Sequence, residues 1–206
     1  TISVLARKSR KASEQEATDY VAAMLLAISM MFLRFMILIL IFSREIFLSI
    51  YPYLLTMAVV AAIVAWFIHS RQKRSNDQPV EAEEDDSSNP LEFKVALIFA
   101  VLFVVFTFLT HYTLVYAGTG GLNLLSFVSG FSDITPFILN LLQNTGSVAA
   151  LIITACSMQA IISNIMVNMF YALFFAGKGS KLRPWILGGF GVVIACNLVL
   201  LLFFYI

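Results

Sequence analysis

The sequence predicts an all-α polytopic membrane protein with five transmembrane helices plus one re-entrant or broken helix, and three observations lead there. Of its 206 residues, 60% are hydrophobic and 12% charged, against about 45–50% and about 25% in soluble domains. Long apolar runs cover 19–42, 46–69, 93–116, 148–175 and 184–206, each sufficient for the roughly 20 residues that a spanning helix needs. A sixth apolar stretch, 122–144, is interrupted at its centre. A soluble bundle would need polar faces, and these runs are apolar all round.

Charge excludes other classes. With 13 Lys and Arg against 12 Asp and Glu the net charge is +1, so there is no basic excess to hold nucleic acid. Cys156 and Cys196 lie within apolar runs and read as small packing residues.

The organisation follows from where the charges lie. Residues 1–19 form a polar segment, 20–68 the first two spans, 69–92 a linker and 93–206 the remaining membrane helices. The sequence opens on Thr1 with no apparent signal peptide and reads as a piece of a longer protein. The linker mixes Ser, Asn, Pro and the acids Glu81, Glu83, Glu84, Asp85 and Asp86, a composition unable to bury a core and expected to be disordered. Three cation clusters flank the spans: Arg7, Lys8, Arg10 and Lys11; Arg71, Lys73 and Arg74; Lys178, Lys181 and Arg183. By the positive-inside rule, the polar segment and linker are cytoplasmic. The third cluster joins them only if 122–144 re-enters from the outer face instead of crossing.

That stretch reads GLNLLSFVSGFSDITPFILNLLQNTG, two short apolar arms around Ser129, Gly130, Phe131, Ser132 and Asp133. Each arm rises about 12–15 Å, half a hydrocarbon core. Gly130 permits a tight break, Ser132 or Asp133 is placed to cap the second arm, and Pro136 suits a first helical turn. Non-helical backbone at that depth needs protein or a water-filled cavity around it, which marks the break as a candidate polar site. Residues 21–29 (VAAMLLAIS) also resemble 148–156 (VAALIITAC), with Thr1 to Ser3 and Ile134 to Pro136 in loosely matching positions upstream. Paired with opposite span directions, this suggests an inverted repeat, the arrangement of many secondary transporters.

Two charges lie deep in apolar runs, Arg34 and Asp133. An intramembrane charge normally faces a partner or cavity, so the pair, direct or across an ion or water, is the expected site, with snorkelling of Arg34 toward the outer interface as the alternative. In 148–175, Thr154, Ser157, Asn164 and Asn168 share one arc, with Gln159 and Ser163 opposite. Asn164 and Asn168 are expected in a cavity, the others as glue between helices. The candidate ion or solute site is therefore Ser129, Gly130, Ser132, Asp133, Arg34, Asn164 and Asn168. Gly188, Gly189 and Gly191 read as close helix contacts, and Tyr51, Trp66, Tyr112, Tyr116 and Trp185 as an interfacial belt. His69 and His111 lack metal-ligand neighbours, and no phosphate loop or nucleophile motif is present, so no cofactor and no enzymatic activity are expected.

The runs MMFLRFMILILIF, NPLEFKVALIFAVLF, LLSFVSGFSDITPFILNLLQ and ISNIMVNMFYALFFAGKGSKL resemble the C-terminal membrane domain of unknown function of large bacterial MgtC/SapB-like proteins. The shared pattern falls on Arg34, Asn89 to Glu92, Ser129 to Asp133, Ser163 with Asn164, and Gly177 to Lys181, from about Tyr20 onward. The pattern often carries a second acid just after the break, where this sequence has Thr135, which weakens a divalent-cation reading. The resemblance implies a bacterial inner-membrane, multi-pass protein, an N-terminal MgtC-like module in the full-length chain and a link to magnesium homeostasis. Two functions stay open: a transporter or channel-like module for a small ion or solute, or a non-transporting regulatory or assembly subunit. The expected partners are the lipid bilayer and a small ion, with a homo-oligomer left open.

Overall fold

The computed structural model describes residues 14–70, 91–143, 148–176 and 182–205. Every element there is helical: α1 (Glu14–Phe42), α2 (Arg44–Ser70), α3 (Leu91–Ser129), α4 (Ile134–Gln143), α5 (Ala150–Ala176) and α6 (Arg183–Tyr205). Five stretches are long and apolar enough to cross a membrane, Asp19–Phe42, Arg44–Ser70, Leu97–Ser129, Ala150–Phe174 and Arg183–Leu202, while α4 is shorter. The chain is a multi-pass membrane protein. Most of the polar segment, nearly all of the linker with its acidic run, and every clustered cation except Arg183 lie outside the described residues.

The first two helices form an antiparallel pair. Val21, Leu25, Ile28, Phe32, Phe35 and Ile39 recur at helical spacing and are buried in α1. They meet a face of α2 that includes Ala58, Ala61 and Ala65, small residues that let backbones approach. Ser29 Oγ donates to the Ala58 carbonyl at 2.9 Å. Ser43 makes the turn, its hydroxyl accepting from the Ile46 N–H at 3.4 Å as an N-cap. At the other end His69 Nδ1 and Asp19 Oδ1 lie 3.0 Å apart, so the start of α1 meets the end of α2.

Contacts fix the directions of the rest. A side chain at Gly189 would meet Leu25 and Ile68, while Tyr53 donates a hydrogen bond to Asn197. As α6 advances, its partners on α2 run backward, so α6 is parallel to α1 and begins beside Asp19 and His69. Arg183 thus sits at the end where α1 starts and α2 finishes, and α5, which leads into that end, runs opposite to α1. Of the three glycines expected in close contacts, Gly189 makes one, whereas a Cβ at Gly188 or Gly191 would meet nothing within 4 Å.

The interrupted stretch folds back on itself. Phe106 packs against Phe137 with ring centroids 5.7 Å apart, and Asn140 Nδ2 donates to Thr107 Oγ1 at 2.7 Å. In a straight helix Phe106 and Ser129 would be about 35 Å apart, too far for α4 to return to Phe106 after four linking residues. The bend is at Gly118, whose φ of 57° and ψ of −147° interrupt the helix; that left-handed φ favours glycine. Residues 119–129 then run parallel to α5, as the contacts of Cys156 with Asn123 and of Ser163 with Phe127 show. They descend beside α5, turn at 130–133, and α4 climbs back. The apolar runs end the third span at 116 and open the arm at 122, whereas in the structure Gly118 alone separates them, because Thr119 to Gly121 continue the helix.

Opposed directions of α1 and α5 agree with an inverted arrangement of 21–29 and 148–156. The upstream match at Thr1 to Ser3 lies outside the described residues. Within the bundle α5 is the most buried span and α3 the least.

Candidate functional site at the helix break

The turn at 130–133 has to satisfy the carbonyls left free where 119–129 ends. Gly130, Phe131 and Ser132 donate their N–H groups back to the carbonyls of Phe127, Val128 and Ser129 at 3.3, 3.1 and 3.1 Å. Ser129 Oγ donates to the Ser126 carbonyl at 2.7 Å, and Ser132 Oγ to that of Ser129 at 3.2 Å. Helix α5 supplies the remainder. Ser163 Oγ donates to the Phe127 carbonyl at 2.7 Å, and Asn164 Nδ2 lies 3.2 Å from the Gly130 carbonyl and 3.4 Å from that of Ser132. Asn168 Nδ2 donates to Asn164 Oδ1 at 3.0 Å and so orients the amide that does this.

Such close docking depends on Gly130. A Cβ there would lie 2.4 Å from both Cβ and Oγ of Ser163 and 2.8 Å from the Asn164 nitrogen. Ser163 and Asn164, read as belonging to different faces of α5, both serve the break, since adjacent residues are 100° apart and the turn wraps across both.

Helix α4 opens with Asp133 as its cap. Asp133 Oδ1 accepts from the Thr135 N–H at 2.9 Å and from Thr135 Oγ1 at 2.7 Å, a carboxylate at the positive end of a helix. Arg34 on α1 points its Nη2 at Thr135 Oγ1, 3.4 Å away. The two deep charges are therefore joined through Thr135, with no direct ion pair between them. Among the described residues the close acid–base contact is that of His69 with Asp19.

The seven candidate residues thus divide. Ser129, Gly130, Ser132 and Asn164 direct polar groups at the break itself and hold its shape, and Asn168 acts on it through Asn164. Arg34 and Asp133 retain capacity among the described residues: of the five N–H donors of a guanidinium one is engaged there, and of the carboxylate Oδ1 is the oxygen engaged there. Both side chains, with Ser132, are exposed on the surface of the bundle. Thr135 is a site residue that the sequence pattern does not mark. It stands where the resembling pattern often has an acid, and its hydroxyl both donates to Asp133 and accepts from Arg34.

The fold and site define a class: a multi-pass helical membrane protein with a helix broken at a polar centre. The chain belongs to the family described as a domain of unknown function, DUF4010, whose model matches residues 1–176. An uncharacterized protein of Aquifex aeolicus (strain VF5) is 24% identical over 154 residues, which cover 74% of this chain and 67% of that protein. No solved structure matches the chain significantly.

Proposed function

We propose that the protein is a transporter or channel-like module for a small ion or solute, with the site at the helix break. The observation that carries the reading is the Arg34, Thr135 and Asp133 chain at the tip of the folded-back pair. Ionisable groups in membrane-spanning segments mark ion or solute pathways, and helix breaks at the interface of inverted repeats are where transporters bind. The helix ends adjoining the three cation clusters lie together, so the positive-inside rule makes that end cytoplasmic. On this reading the pair of half-helices enters from the outer side of a bacterial inner membrane, and the chain performs no enzymatic reaction.

A regulatory or assembly subunit is the second reading, favoured by the exposure of α3, which leaves Ile98, Val101, Phe108 and Tyr112 uncovered. The resemblance to MgtC/SapB-like proteins would then place it in magnesium homeostasis with an N-terminal MgtC-like module.

Reconstituted proteoliposomes separate the two. Uptake is followed for Mg2+, Na+, K+ and phosphate, with wild type, Asp133→Asn and Arg34→Met. Transport predicts uptake of at least one, reduced about tenfold or more by either substitution. Wild-type vesicles passing none of them, or an uptake indifferent to Asp133, defeat this reading and favour the subunit.

A further inference from the structure

The α1 face that carries Arg34 is made of Leu26, Met30, Ile37 and Ile41, exposed at 50%, 65%, 57% and 74%. With Arg34 at its centre this is one stripe at helical spacing, 26, 30, 34, 37 and 41. On the folded-back pair, which Arg34 reaches through Thr135, Leu124, Phe127, Val128 and Phe131 are exposed, a second stripe of the same kind ending at Ser132 and Asp133. Both stripes suit hydrocarbon except at one spot, where a guanidinium and a carboxylate stand on the outside. Hydrocarbon cannot solvate them. Snorkelling does not solve it: Arg34 is about 12 Å short of the end of α1 at Phe42, and its guanidinium turns to Thr135 on α4.

We infer that a second copy of this chain covers this face, in a two-fold dimer that sets Arg34 of each copy against Asp133 of the other. The occupant is chosen by charge. The face carries one cation and one anion, Thr135 between them, and a two-fold axis through that point brings opposite signs together twice. A two-fold axis makes each contact occur twice, so one compatible juxtaposition suffices. The apolar stripes then flank the paired charges, and the spare N–H groups of Arg34 meet the unengaged Oδ2 of Asp133. A bilayer contact would leave these donors and that acceptor in hydrocarbon. The inference stands whether or not a solute crosses.

Charge exchange tests it. In the dimer, Arg34→Asp places two acids at each contact and Asp133→Arg two guanidinium groups, so each variant alone should be monomeric in nanodiscs. Co-expressed under different tags, they should pair with each other, since every contact is again one cation and one anion. An intramolecular role cannot produce that rescue. Where neither variant folds, thiol cross-linking with a flexible linker in native membranes decides, using Cys156→Ala and Cys196→Ala backgrounds. Met30→Cys and Ile37→Cys should give a dimer, and Val101→Cys on α3 should not. A monomeric wild type, single variants that keep the wild-type state, or absence of the Met30 and Ile37 cross-links overturns the proposal, leaving lipid or an unrelated subunit as the cover.

Discussion

Gly130 lies against Ser163 so closely that a single added methyl group would overlap the serine, 2.4 Å from its Cβ and Oγ. The contact joins the turn of the folded-back pair to the most buried helix. Gly130→Ala should destabilise the protein by about 1–3 kcal/mol, the usual cost of overpacking. Ser163→Gly removes the two closest obstructing atoms and leaves the Asn164 backbone nitrogen at 2.8 Å, so the double variant should recover part of the loss. Thermal unfolding in detergent measures this, and purely additive effects would contradict the close approach.

Arg34 and Asp133 communicate through a hydroxyl. A double-mutant cycle with Arg34→Met and Asp133→Asn should give a coupling of about 0.6 kcal/mol, the mean for polar contacts between membrane helices, and no more than about 1.7 kcal/mol. Repeating the cycle in Thr135→Val should abolish the intramolecular part, because Thr135 Oγ1 is both donor and acceptor in the chain. A coupling unchanged by Thr135→Val would show that the charges meet directly.

Asn164 is the amide that the break depends on. Asn164→Leu leaves the Gly130 and Ser132 carbonyls without that donor and should cost about 1–3 kcal/mol. Asn168→Leu, one step removed, should cost less. Equal losses at the two positions, read by thermal unfolding, would mean that Asn168 holds the turn in its own right.

Sidedness follows from the helix directions. Cysteines replacing Ser70 and Pro184 should label from one side of the membrane, and cysteines replacing Arg44 and Ala149 from the other. Ala149 and Pro184 labelling from the same side would require α5 not to cross, contrary to the contacts that set α6 parallel to α1.

Much of this was legible in the sequence, for physical reasons. Long apolar runs bounded by charge have few alternatives to spanning helices, and Gly130 followed by Asp133 and Pro136 carries the chemistry of a stop and restart. The bend was harder to place. Gly118, Gly120 and Gly121 stand together, and only φ distinguishes the one that turns from the two that continue the helix. At the site, the charges were visible because they interrupt apolar runs. Thr135 was not, since a hydroxyl in a membrane helix usually bonds its own backbone and becomes a link only when Arg34 arrives from another element. Asn164 was found, but its task was not, because free carbonyls at a break have no signature in side-chain sequence.

The support that Ser163 and Asn164 give the turn has a consequence for biogenesis. Residues 119–143 emerge from the ribosome before α5 does, yet the carbonyls of Phe127, Gly130 and Ser132 find their side-chain donors there. Each arm is too short to span by itself, and the polar turn has no reason to enter lipid alone. The arms are expected to stay at the insertion site or at a membrane interface until α5 has been threaded, and then to pack beside it. The broken helix is thus a late-assembling part made from early-synthesised sequence, and nascent chains truncated before Ala150 should hold 119–143 in a protease-accessible state.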